Sequence, residues 1–439
     1  MKSKWKRYFA AALVLSVFAF MLSGCVSKKS NPEETDTSKE NASDAEQAEE
    51  PKVEGSIKLW VDTNYVNDYK EVVSGFTKDY PDVKVTVSAG SSPDALKDVS
   101  KDPGAAADVF MVPHDQIGQM AEAGLLYPID KDAEGIKADN VEASVQGVTW
   151  NNEIYGYPYG IESQVLYYNK AKLSEDDVKS WNTLTEKGKI GSNFAEAGAN
   201  YIFAPLFMSN GLKLYGDSGE DPNGTDFNNE KGIQVLKWIA AQKDNPNVLQ
   251  ANESALSDLE SGKIDAFLSG PWSKNDVKKA LGDNMGVAVY PTVDFGDGEV
   301  PMKAFLGVKV FGVNQQTKSP LAAMVLANYI SNEDSQLTIF EKQGIVPCNN
   351  KAQESEKVIA DDVAKAITEM SQIDVVMPKI PEIVSFWPPM DAVINDTYKG
   401  IIKEADYQSK LDSLVADTAR KSSHQQGGLL EFLSLFFIR

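Results

Sequence analysis

Strand-like and helix-like stretches alternate along most of this 439-residue chain, and that alternation limits its fold more than any other feature. Residues 56–61 (SIKLWV) read as a strand, 66–76 place Tyr69, Val72, Val73 and Phe76 on one helical face, and 83–87 (VKVTV) read as the next strand. Such a β-α-β unit builds a sheet with helices packed on its faces. A third strand at 108–112 (DVFMV) and a helix at 116–125 continue the series. Further on, 232–241 and 320–329 read as helices, and 264–268, 286–290 and 304–313 as strands. The expected fold is α/β, with helix-flanked open sheets. A body of about 55–421 is too long for one small domain and suits two lobes.

The first 25 residues are of another kind. A basic start (Lys2, Lys4, Lys6, Arg7) precedes an apolar run over 8–21 and the sequence Leu22-Ser23-Gly24-Cys25. This reads as a secretory signal, 1–24, with a cysteine directly after its cleavage site. The rival reading is a transmembrane helix, but the run is shorter than the ~20 residues a span needs. Residues 25–54 are dense in Glu, Asp, Ser and Lys and nearly free of large apolar groups. They read as a disordered linker, because such a segment buries too little surface to offset its chain entropy. At the other end, 424–439 (HQQGGLLEFLSLFFIR) falls outside the alternating pattern, and its apolar run is also too short for a span. Residues 422–439 are set apart as an atypical tail.

The chain carries 43 basic and 64 acidic side chains, a formal charge of −21, and loses four more basic groups with the leader. That balance disfavours nucleic acid and anionic membrane faces as partners. There are two cysteines, Cys25 and Cys348. With Cys25 at the cleavage site, Cys348 has no partner and reads as a small buried apolar side chain.

Open α/β sheets bind ligands beyond the carboxyl ends of their strands. After the first strand comes Asp62, and after the third Pro113-His114-Asp115-Gln116. Residues 154–162 (IYGYPYGIE) bring three tyrosines and Glu162, Gly270-Pro271-Trp272 follows the strand at 264–268, and 385–390 is SFWPPM. Carboxylates and flat aromatics thus recur at crevice positions. A pyranose ring uses both, since carboxylates accept its hydroxyls and aromatic faces pack on its C–H faces. The blander readings are kept beside these. Asp115 serves equally as a helix cap, and Trp272 and Trp387 equally as packing residues between lobes. Their neighbours Gly270, Pro271, Pro388 and Pro389 mark loops, which favours ligand contact. Trp60, Trp150, Trp181 and Trp238 are expected in the core. Residues 217–228 (DSGEDPNGTDFN) lack the glycine and terminal glutamate of a calcium loop and read as a hairpin or surface loop. No G-x-S-x-G, H-E-x-x-H or phosphate-loop motif occurs. The enzyme class left open is a glycosidase using Asp115 and Glu162. An adhesin or chaperone is a third class and predicts no preformed cleft.

Taken together, segments 104–129, 153–173, 262–273, 305–314 and 377–395 resemble, in order and spacing, the extracellular solute-binding proteins of carbohydrate transport. The resemblance is to maltose- and maltodextrin-binding lipoproteins of Gram-positive ABC transporters. It implies a two-lobed periplasmic-binding-protein type II-like fold, with an N-lobe of 55–160 plus 308–357 and a C-lobe of 161–307 plus 358–421. Two or three strands would cross at the hinge. It further implies a lipobox that acylates Cys25 and anchors the protein on the outer membrane face, no enzymatic activity and no cofactor. The protein would act as a monomer, with maltose or maltodextrin as ligand and permease subunits with a cytoplasmic ATPase as partners. Carried over residue by residue, Asp115 and Glu162 match sugar-hydroxyl acceptors. Trp272, Trp387 and Tyr201 match aromatic platforms, and Asp62 a polar ligand position. Val112, Gln116 and Asp391 depart from the pattern, standing where some relatives carry a tryptophan and two arginines; the first two bear on affinity and preferred chain length, as does the third.

Overall fold

The structure, a computed structural model, describes residues 52–420. The signal, Cys25, nearly all of the linker and the 422–439 tail lie outside the described residues.

The chain opens with β1 (Gly55–Asp62), the helix Val66–Asp79, β2 (Val83–Gly90) and β3 (Val109–Pro113). In β1 the period of two is plain: Ile57, Leu59 and Val61 are buried while Lys58 is exposed. The helix buries Tyr69, Val73 and Phe76, one stripe at helical spacing. A small ribbon, β4 (Thr149–Trp150) with β5 (Glu153–Ile154), leads into β6 (Tyr157–Glu162). Two residues later begins β7 (Val165–Asn169), followed by β8 (Ile190–Ser192), β9 (Val248–Gln250), β10 (Ala266–Ser269) and β11 (Met285–Ala288). A second ribbon, β12 (Thr292–Asp294) with β13 (Glu299–Pro301), precedes the long β14 (Phe305–Val313); the short β15 (Val375–Val376) is last.

These strands form two main sheets. The first runs β15-β14-β3-β1-β2, with β6 also paired to β14. Its β1, β2 and β3 are mutually parallel, whereas β14 runs antiparallel to β3 and β6. The second runs β11-β7-β10-β8-β9. Helices cover both faces of the second sheet, which explains why β7 (VLYYN) is apolar without alternation. Val165 and Tyr167 join one hydrophobic cluster, and Leu166 and Tyr168 join the other. The fold is therefore two-lobed α/β, each sheet flanked by helices.

Two local expectations are corrected. Pro388 and Pro389 do not mark a loop; they lie inside the helix Ile383–Lys399. Buried Phe386, Met390, Val393 and Ile394 hold this helix against the second lobe, while Pro388 is exposed, where water can take up the carbonyls that prolines leave unpaired. Trp60 is only half-buried, with its side chain over Gly90, whereas Trp150, Trp181 and Trp238 are core residues. Cys348 is free and fully buried, and burial pushes its thiol up to about 12. Residues 217–228 form turns and irregular loop, without a strand.

Candidate functional site

The strands deliver the site by where they stop. β3 ends at Pro113, and the chain turns at once through His114, Asp115 and Gln116 into the helix Ile117–Glu122. β6 ends at Glu162, and β10 ends at Ser269, one residue before the turn Pro271–Ser273 that carries Trp272. Gly270 lets the Trp272 ring lie over the backbone there, since a Cβ would come within 2.2 Å of the indole and push it aside. Trp272 is left 44% exposed, high for so large an apolar group.

Three concavities share residues and so form one furrow. The middle one is lined by Ser92, Val112, Asp115, Tyr159, Glu162 and Lys309 among others. Asp115, Gln116 and Met377 also line its neighbour on one side, where the opposite wall is Trp387. Glu162 and Lys309 also line the wide groove on the other side, where the opposite wall is Trp272. The furrow therefore runs from Trp387 past Asp115 and Glu162 to Trp272, an aromatic at each end and carboxylates between.

Lys309 was not among the residues singled out from the sequence. It stands in the apolar run FLGVKVFGV, and that lone charge was the signal available. Its Nζ lies 2.9 Å from a Glu162 oxygen, both side chains being mostly buried. The pairing between β14 and β6 slips here: Lys309 faces Gly160 and Val310 faces Pro158, so Tyr159 sits at the irregularity. Bulges re-aim side chains, and both Lys309 and Tyr159 line the cavity. Burial alone would lower the Lys309 ammonium; Glu162 and Tyr65 outweigh it and hold it above the ordinary lysine value. Burial pushes the Asp115 carboxyl up to about 6, its own backbone N–H opposing and the Glu162 charge adding to the rise.

Tyr201 and Trp387 rest on one base. Phe305 packs against Tyr201 at 6.1 Å between ring centroids and edge-on against Trp387 at 5.5 Å. Burial raises the Tyr201 phenol, and the charges of Glu162, Asp374 and Asp115 add to it, which sets the ring in the field of the furrow's carboxylates. Asp62 serves at one remove. Its two oxygens accept from Ser92 N and Oγ, at 2.6 and 2.8 Å, and Ser92 lines the cavity. Gln116 likewise braces the wall, accepting from Leu96 N at 2.9 Å and donating to Pro93 O at 2.7 Å. Asp391 accepts from Asn200 N at 3.2 Å, so it fixes the start of the helix Ala199–Phe203 that carries Tyr201. Among the described residues no group of three or more His, Cys, Asp and Glu side chains is arranged to hold a metal ion.

The sequence model of the bacterial extracellular solute-binding proteins matches residues 71–366, well over half of the chain. The chain belongs to this family. Its members are substrate-binding proteins rather than enzymes. This solute-binding protein is 29% identical over 383 residues to the galactooligosaccharide-binding protein of Bacillus subtilis (strain 168), a match covering 82% of this chain and 88% of that one. It is 27% identical over 364 residues to the maltooligosaccharide ABC transporter solute-binding lipoprotein of Streptococcus pneumoniae (strain ATCC BAA-255 / R6), covering 78% and 84%. Among solved structures, the maltodextrin-binding protein MalE1 from L. casei BL23, without ligand, matches with a TM-score of 0.81 and 44% identity, covering 84% of this chain and 100% of that chain.

Proposed function

We propose that this chain is a cell-surface receptor that captures maltose or maltodextrin between its lobes and hands it to an ABC permease. The observation that carries this reading is the furrow itself. A chain of pyranose rings presents apolar faces at its ends to Trp387 and Trp272 and hydroxyls along its length to Asp115 and Glu162. Hydrogen bonds to such ionised acceptors contribute about 1.5–3 kcal/mol each, and aromatic packing about 0.5–1.5 kcal/mol beyond area burial. Tyr201 is assigned as a third platform and Asp62 as the brace of the Ser92 wall. The maltooligosaccharide named for the pneumococcal protein and the maltodextrin named for the L. casei protein support the sugar class.

The lobe boundaries of this reading are 55–160 plus 308–357 and 161–307 plus 358–421. The protein acts as a monomer, held on the outer membrane face by a lipid on Cys25. Metabolic labelling with a fatty-acid probe tests the anchor: label is expected on the wild type and absent from Cys25→Ser.

Two observations favour neighbouring readings. The B. subtilis relative is named for galactooligosaccharides, which makes a galactooligosaccharide series the necessary control. Asp115, held up to about 6, has the protonation behaviour of a general acid. Glu162 is paired to Lys309, an arrangement suited to a fixed acceptor rather than a nucleophile. Incubating the protein with maltotriose and analysing products tests this: intact sugar is expected, and glucose release would move the case to a glycosidase.

A further inference from the structure

Three stretches of chain meet where the two sheets adjoin. Ser163 and Gln164 are all that separates β6, in the first sheet, from β7, in the second. Ala304 directly precedes β14, as the chain returns from the ribbon beyond the second sheet. Asp374 directly precedes β15, which closes the edge of the first sheet. These three residues are tied at one group. Asp374 accepts a hydrogen bond from the Ser163 hydroxyl through Oδ2 and from Ala304 N through Oδ1, the latter at 2.8 Å. Two of these stretches are joined again by Val375 N to Ala304 O at 3.0 Å, and Gln164 is held in place by Tyr290, from beyond β11, whose Oη donates to Gln164 Oε1 at 2.8 Å.

We propose that Asp374 is a positioning residue for lobe movement: its carboxylate joins all three stretches, so opening or closing the furrow requires repacking around it. The inference rests on the receptor reading for its purpose, though not for its geometry. Hinges of this kind are a few element-terminal residues that absorb the backbone change between two rigid bodies. Ser163, Ala304 and Asp374 each occupy such a terminal position. A carboxylate accepts from both donors at once; once protonated it becomes a donor on one oxygen and competes with the Ser163 hydroxyl for that role.

Facing Asp374 are Lys303 beside Ala304, Tyr201 on the helix Ala199–Phe203 and Tyr290 beyond β11. Burial raises both phenols, leaving Lys303 as the neighbouring charge. Burial pushes the Asp374 carboxyl up to about 7, against the lowering by Ser163, Ala304 N and Lys303. The ionised, doubly bonded form therefore prevails above neutrality and is lost as pH falls below it. The interlobe arrangement described here is the one that the ionised form holds.

The test is the distance between spin labels at Lys78→Cys and Lys237→Cys, on exposed sites of the two lobes, in full-length protein without ligand from pH 5.5 to 8.5. The expected result is a narrow distribution at pH 8.5 that broadens by pH 5.5, with a midpoint near neutrality. Asp374→Asn and Asp374→Ala are expected to be equally broad at both ends. Ser163→Ala, which removes a bond favouring the carboxylate, is expected to keep the transition and move its midpoint upward. A wild type whose distribution ignores pH, or a pH response that survives in Asp374→Asn, would overturn the proposal. Adding maltotriose tests the receptor reading separately: if the sugar moves nothing while the pH response stands, that reading fails and the hinge assignment does not.

Discussion

His114 is the residue whose chemistry the fold fixes most tightly. Its Nδ1 accepts from Val308 N at 3.0 Å and its Nε2 donates to Met377 O at 2.8 Å, so the ring is neutral and bonded at both nitrogens. Burial is the main reason that its pKa lies at about 4; the Met377 bond opposes and the Lys379 charge adds. The native value is below that of the unfolded chain, so the unfolded state takes the proton first, and stability falls as pH drops from about 6.5 to about 4. At about 1.4 kcal/mol per unit this approaches 3 kcal/mol. His114→Gln should be destabilised most at pH 7, and its deficit in thermal unfolding should shrink toward pH 4.5; a deficit that grows would contradict the assignment. Asp115 has the opposite sign. Its carboxyl is raised, so it favours the native state at low pH and loses that contribution as pH climbs through about 6. Sugar binding by the ionised form should accordingly weaken below pH 6, and calorimetry of Asp115→Asn should show a weaker affinity without that slope. Asp115, Glu162 and Trp272 were legible because each stands at or just past a strand end, the place where open sheets bind. Lys309 was not, because a strand interior gives no sign of a slipped register.

At the scale of elements, the furrow's second aromatic pair depends on how two helices dock. The helix Ala199–Phe203 is held to Ile383–Lys399 by Asn200 N to Asp391 Oδ1 at 3.2 Å and by Asn200 Nδ2 to Trp387 O at 2.8 Å. Asp391 acts as a cap supplied from another element, a contact worth about 1 kcal/mol. Asp391→Ala should lower the melting temperature by about 1–2 °C and weaken sugar binding severalfold through Tyr201 and Trp387. Asp391→Asn, which keeps an acceptor, should restore most of both; equal loss in the two variants would contradict the capping role. The sequence pattern located the strands near 266–269 and 285–288 and the helix near 230–242, but missed the helix Ile383–Lys399, whose Pro388 and Pro389 it misread as loop markers. Local rules give prolines to loops, and here tertiary burial of Phe386, Met390 and Ile394 overrides them. The role of Asp391 was likewise hidden, because a cap between elements 191 residues apart leaves no local pattern.

For the whole molecule, the α/β alternation was enough to anticipate helix-flanked open sheets, since an amphipathic period is a local property, and the length of the body suited them to two lobes. How β14 and β15 return to complete the first sheet was not readable from periodicity alone, because the residues paired with β14 on β15 and β3 lie between 70 and 204 residues away along the chain. The acidity of the chain restricts its partners without shaping the fold. The central claim is that the furrow between the lobes binds an α-linked glucan chain without cleaving it. Isothermal titration of wild type and Trp272→Ala with maltose, maltotriose, longer maltodextrins, cellobiose and a galactooligosaccharide tests this most directly. The account predicts saturable, selective binding of the α-glucans with no hydrolysis, weakened about tenfold or more by Trp272→Ala. Preference for the β-linked sugars, or α-glucan affinity that Trp272→Ala leaves unchanged, would contradict it.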